Sequence, residues 1–61
     1  MNKIHVTAME YPDGQKFFCI VWNEIITKEF VINKEEAEEF YPEISIRKAI
    51  KIIARERFKD E

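Results

Sequence analysis

From Lys3 to Glu10 apolar and polar positions alternate. Ile4, Val6 and Ala8 point one way, and His5, Thr7 and Met9 the other, the pattern of a half-buried strand. Tyr11-Pro12-Asp13-Gly14 follows. Proline presets φ for the second position of a turn, aspartate caps locally, and glycine supplies a positive φ, so this stretch predicts a hairpin. The next strand, from about Gln15 to Trp22, is apolar on both faces through Phe17-Phe18-Cys19-Ile20-Val21-Trp22. Such a strand belongs at the centre of a sheet or under cover on both sides. Asn23 and Glu24, with or without Ile25, make a short turn into a third strand at about 26–32, and the three strands form an antiparallel meander.

The period then changes to helical. Asn33 is a good N-cap and Glu36, three residues on, completes a capping-box pattern. Ile32 and Ala37 can staple the entry, and Glu35 and Glu36 occupy the first turn, where the helix dipole favours acids. The helix is short, because Tyr41 precedes Pro42 and is pushed out of the helical region. A second helix starts near Ser45 and runs to about Lys59, with Ile44 and Ala49 flanking its start. Ile46, Ala49, Ile50, Ile53 and Ala54 make its apolar stripe. The expected architecture is α+β, in the order βββαα, as one domain over residues 1–61.

Composition adjusts this picture. A chain of 61 residues buries only about 60% of the surface its unfolded form exposes, so it leans on staples, partners or close packing. One cysteine, Cys19, excludes an internal disulfide, and one histidine, His5, with one cysteine falls short of a four-ligand zinc site. Ten isoleucines and no leucine favour strands and stiff packing. The N-terminal residues lack the apolar core of a signal peptide, and no run approaches the ~18 apolar residues of a membrane span. An intracellular, cytoplasmic protein with a reduced cysteine is the expectation.

Catalytic chemistry is not expected. Ser45 is the sole serine and is spent as a helix cap. Cys19 lies in an apolar strand, where a thiol is inert. His5 reads as a surface histidine. No glycine-rich loop cradles a phosphate. The reading is a chain without catalytic residues, cofactor or metal.

Binding is the remaining class. A three-residue turn at 23–25 puts Phe18, Ile20, Trp22, Ile26, Phe30 and Ile32 on one face, where the helices can pack. The other face then shows Phe17, Cys19 and Val21, with Val31 beside them, as an uncovered patch of the kind that marks interaction sites. A two-residue turn slips the pairing by one and exchanges the third strand's side chains across the sheet. Met9 and Tyr11 partly covering this face is the plainer alternative. Charge is segregated as well. Residues 33–45 hold five glutamates and one lysine, a balance of −4, and residues 46–61 hold six Lys/Arg and three acids, a balance of +3. The acidic helix, with Glu35, Glu36, Glu38 and Glu39, is a further candidate protein-binding surface. Lys48, Lys51, Arg55 and Lys59 could track phosphates, although a solvated helix face is the plainer account and Phe58 is the sole aromatic near them. Two residues break the pattern of the second helix. Arg57 falls in the apolar stripe, so it lies past the sheet's edge or pairs with a glutamate. Ile52 falls among basic residues, like an anchor with a polar rim.

The Asp13-Gly14 hairpin, the further strand and the capped helix start from Asn33 to Ala37 resemble the N-terminal part of HicB-type antitoxins over residues 3–40. These are common turn and cap features, and the C-terminal region departs from that pattern, with no fourth strand. No functional residue carries over. The resulting expectation is a protein-binding module. Its partner is a host protein, with the chain acting as a small phage-type inhibitor of an enzyme or defence complex by surface occlusion, or a second copy in a homodimeric assembly subunit. A nucleic-acid accessory protein using the basic helix is the competing class.

Overall fold

The computed structural model describes residues 3–60. Strands β1 (His5–Glu10), β2 (Lys16–Trp22) and β3 (Thr27–Asn33) form one antiparallel sheet in the order β1-β2-β3, followed by helices α1 (Lys34–Phe40) and α2 (Ile46–Asp60). This is the α+β, βββαα architecture that the pattern predicts.

The first hairpin forms as its turn residues dictate. The Gly14 amide donates to the Tyr11 carbonyl at 2.9 Å and the Gln15 amide to Asp13 Oδ1 at 2.8 Å. Gly14 sits at φ 72, a backbone conformation that glycine adopts without steric cost. The resulting register sets Val6 opposite Val21 and Ala8 opposite Cys19.

The second hairpin differs from the expected one. Asn23 Oδ1 accepts the amides of Ile25 and Ile26 at 2.8 and 2.9 Å, and the Asn23 amide donates to the Ile26 carbonyl at 3.0 Å. This Asx turn makes a four-residue loop, Asn23 to Ile26, so that Trp22 pairs with Thr27. The loop has the parity of the two-residue alternative. Phe17 therefore lies opposite Ile32 and Cys19 opposite Phe30.

That register corrects the expected assignment of faces. The helices cover the side carrying Phe17, Cys19 and Val21, which are 3%, 0% and 0% exposed. Ile32 joins them at full burial, Ala8 is buried from β1, and Ile4, Val6 and Phe30 pack on the same cluster. α2 supplies Ala49, Ile50, Ile53, Ala54 and Phe58, and α1 supplies Ala37. The selection is physical. β1 has only one apolar side, Ile4/Val6/Ala8, and its register places that side level with Cys19 and Val21. A core on this side joins apolar rows from all three strands.

The helix ends divide in the same way. Asn33 is extended at ψ 142 and makes no side-chain cap hydrogen bond. It serves as the last residue of β3, opposite Lys16, and the Lys34 amide donates to the Gln15 carbonyl at 2.9 Å. Backbone thus satisfies a helix-start donor that the expected capping box would leave open. Ser45 does cap α2, with its Oγ accepting the Lys48 amide at 3.3 Å. α1 ends at the Tyr41 C-cap, just before Pro42, with the Tyr41 amide on the Ala37 carbonyl at 2.9 Å.

Arg57 resolves its two alternatives by pairing with Glu36 of α1, which ties the two helices together. Arg47, in the first turn of α2, donates from Nη1 to the Ala8 carbonyl at 3.2 Å and lies 6.0 Å from the Phe17 ring centre. No helix among the described residues is long and apolar enough to cross a membrane.

Candidate protein interface

Alternation fixes what lies opposite the core. With Phe17, Cys19 and Val21 turned to the helices, Phe18, Ile20 and Trp22 turn outward, away from both helices. The ladder sorts this open face into four rows, the first being Lys16 beside Asn33 at the end near the first hairpin. Met9, Phe18 and Val31 are level with one another, then Thr7, Ile20 and Glu29, then His5, Trp22 and Thr27. Met9 is 54% and Val31 48% exposed. Phe18, Ile20 and Trp22 are partly buried, by each other and by their strand neighbours. His5 lies on Trp22 with ring centres 5.3 Å apart and planes 25° from parallel, an offset stack of favourable geometry. His5 is exposed, as expected of a surface histidine, and belongs to this face.

One end of this face is concave. Met9, Glu10, Tyr11, Pro12 and Phe18 line a shallow depression of about 290 Å³. The other end carries the β2–β3 loop, where Ile25 is 75% and Ile26 43% exposed. An antiparallel sheet that meets only water normally alternates to polar on that side. Here the outer residues of β1 and β3 are largely polar, whereas the central strand stays apolar and aromatic.

The residues singled out from sequence separate accordingly. Phe17, Cys19 and Val21 lie in the core and offer no surface, because the face assignment was reversed. Val31 lies on the open face, and its neighbours there, Phe18, Ile20, Trp22 and Met9, were assigned elsewhere or passed over. Glu35, Glu38 and Glu39 are exposed on α1, while Glu36 is committed to Arg57. Ile52 is half-buried on α2. Lys48, Arg55 and Lys59 are exposed and Lys51 is half-buried. Phe58 is buried in the core with the Lys28 ammonium 5.5 Å from its ring centre, which removes the one aromatic near the basic helix face.

A second concavity, about 380 Å³, lies between the helices and is lined by Glu36, Phe40, Tyr41, Ile53, Glu56, Arg57 and Asp60. The Tyr41 hydroxyl donates to Glu56 Oε1 at 3.1 Å. That bond to a carboxylate, first, and local desolvation hold the phenol above its ordinary pKa. Burial pushes the Cys19 thiol up as well, and the Arg57 charge offsets this only in part. A thiol held neutral inside the core is a poor nucleophile. Among the described residues, no group of three His, Cys, Asp or Glu is placed to hold a metal ion. Comparison with protein-family models, curated proteins and solved structures finds no match for this chain.

Proposed function

We propose that this chain is a protein-binding module whose working surface is the open face of its sheet. The observation that supports the reading is the central strand. Phe18, Ile20 and Trp22 point away from the core in a row, framed by Met9 and Val31 and rimmed by Thr7, Thr27, Glu29 and His5. Aromatic side chains and methionine within a polar rim are the usual composition of an interface core. A solvent-facing strand has no need of them.

Affinity capture tests the proposal. Wild type, Ile20→Lys and Lys48→Glu/Arg55→Glu are used as baits with and without nuclease treatment, and bound proteins are identified and re-bound in purified form. A partner that binds wild type and the helix variant but loses at least tenfold in affinity for Ile20→Lys supports the open face. A partner indifferent to Ile20→Lys overturns it. Binding that disappears with nuclease and with the helix variant moves the function to the basic face of α2.

A further inference from the structure

We infer that the open face pairs with the open face of a second copy of this chain, through a two-fold axis running parallel to β2 between two sheets packed face to face. The inference rests on reading that face as an interface, and it names the occupant.

The argument is one of self-complementarity. A homodimer of this kind brings the same patch against itself, so each row must be compatible with the row that symmetry lays over it. Two in-plane axes can place the faces together. An axis across the strands lays the Met9-Phe18-Val31 row over the His5-Trp22-Thr27 row, and Glu29 over its own copy. Apolar Met9 and Val31 then meet polar His5 and Thr27, and two carboxylates oppose each other in a partly dehydrated contact, where like charges are costly. An axis along β2 keeps each row over itself and exchanges β1 with β3. Met9 then meets Val31, Glu29 meets Thr7, His5 meets Thr27, and Phe18, Ile20 and Trp22 meet their own copies. Apolar contacts apolar, the Glu29 carboxylate faces a hydroxyl rather than a second charge, and the one like-charge meeting, Lys16 over its own copy, falls in the exposed end row, where both ammonium groups can turn to water. Sheets packed in this sense keep their strands within about 30° of each other, so the rows stay aligned near Ile20, at the centre.

Area sets the strength. Three strands of about seven residues cover a footprint near 300 Å², on the order of 500 Å² of accessible surface per copy once side-chain relief is counted. The pair thus buries about 1,000 Å², at the low end for a specific interface. The dimer should therefore form at micromolar and higher concentrations and dissociate on dilution.

Sedimentation of the purified chain from micromolar to millimolar concentration, combined with a short bis-maleimide crosslinker, tests this. The expected mass rises to twice that of the chain, and Ile20→Lys, with its circular dichroism unchanged, stays at the monomer mass. Met9→Cys mixed with Val31→Cys should crosslink, Ile20→Cys should crosslink to itself, and Met9→Cys mixed with His5→Cys should not. The buried Cys19 leaves wild type uncrosslinked. A chain that remains monomeric to millimolar concentration overturns the dimer, while the open face as an interface still stands or falls on the capture experiment. A dimer that survives Ile20→Lys pairs through another surface and overturns the face-to-face dimer. A Met9–His5 crosslink overturns the proposed axis.

Discussion

Neighbouring residues of β2 have opposite roles, and Ile20 and Val21 show this most directly. Val21 is fully buried against the helices, whereas Ile20 is partly open on the other face. A lysine at position 21 would bury an unpaired charge, at a cost of several kcal/mol. A domain this size has roughly 3–9 kcal/mol of total stability, so Val21→Lys should be unfolded at 25 °C by circular dichroism. Ile20→Lys places its charge in water and should shift the urea-unfolding free energy by less than about 1 kcal/mol. Two titrating side chains give a pH dependence of definite sign. Cys19 and Tyr41 both have folded-state pKa values raised above their ordinary ones. Each therefore contributes stability that is complete below its unfolded pKa and lost as pH rises through the folded one. Urea midpoints should hold steady from pH 7 to about 8.5 and decline toward pH 11. Tyr41→Phe should flatten the upper part of that decline, and Cys19→Ala, though less stable throughout, the lower part.

At the level of elements, two asparagines exchange the importance that their positions suggest. Asn23 closes the β2–β3 loop through two backbone amides, so Asn23→Ala should cost about 1–2 kcal/mol, with Asn23→Asp recovering most of it. Asn33 occupies an N-cap position without capping, so Asn33→Ala should cost less than the ~1 kcal/mol typical of a lost cap. Urea unfolding of the three variants measures both. The same pair marks the limit of what sequence patterning conveys. Element order, the Asp13-Gly14 turn, the stop at Pro42 and the α2 stripe follow from local rules and are visible in the chain. The loop length at Asn23 depends on one side chain folding back onto its own backbone, and loop length decides which β3 residues join which side of β2. The one-sided alternation of β1 held the missing signal. Ile4, Val6 and Ala8 can bury only one row of β2, and that row is Phe17, Cys19 and Val21. Read across strands, it would have placed the open face on Phe18, Ile20 and Trp22. Phe58 was passed over for a related reason: it lies one turn beyond Ala54, where the stripe continues but basic residues crowd the sequence.

At the level of the whole molecule, the fold has two layers where three would be needed to cover both sides of β2. The helices bury one side completely, and the Arg57–Glu36 pair keeps α1 and α2 together over it. Neither helix reaches the other side, and the proposed dimer would supply the third and fourth layers as a central sandwich of two sheets with helices outermost. Such an arrangement offsets the small core of a short chain by association.

The Arg47 contact with the Ala8 carbonyl bears on how such a protein avoids polymerising. A three-stranded sheet has two free edges, and head-to-tail growth into a fibre requires the β3 edge of one molecule to dock on the β1 edge of the next. Arg47 occupies a backbone acceptor of β1 and sets a cation beside it, so incoming strands meet a site already taken. A strand that pairs with β1 must first displace this contact, so Arg47 disfavours growth along that edge.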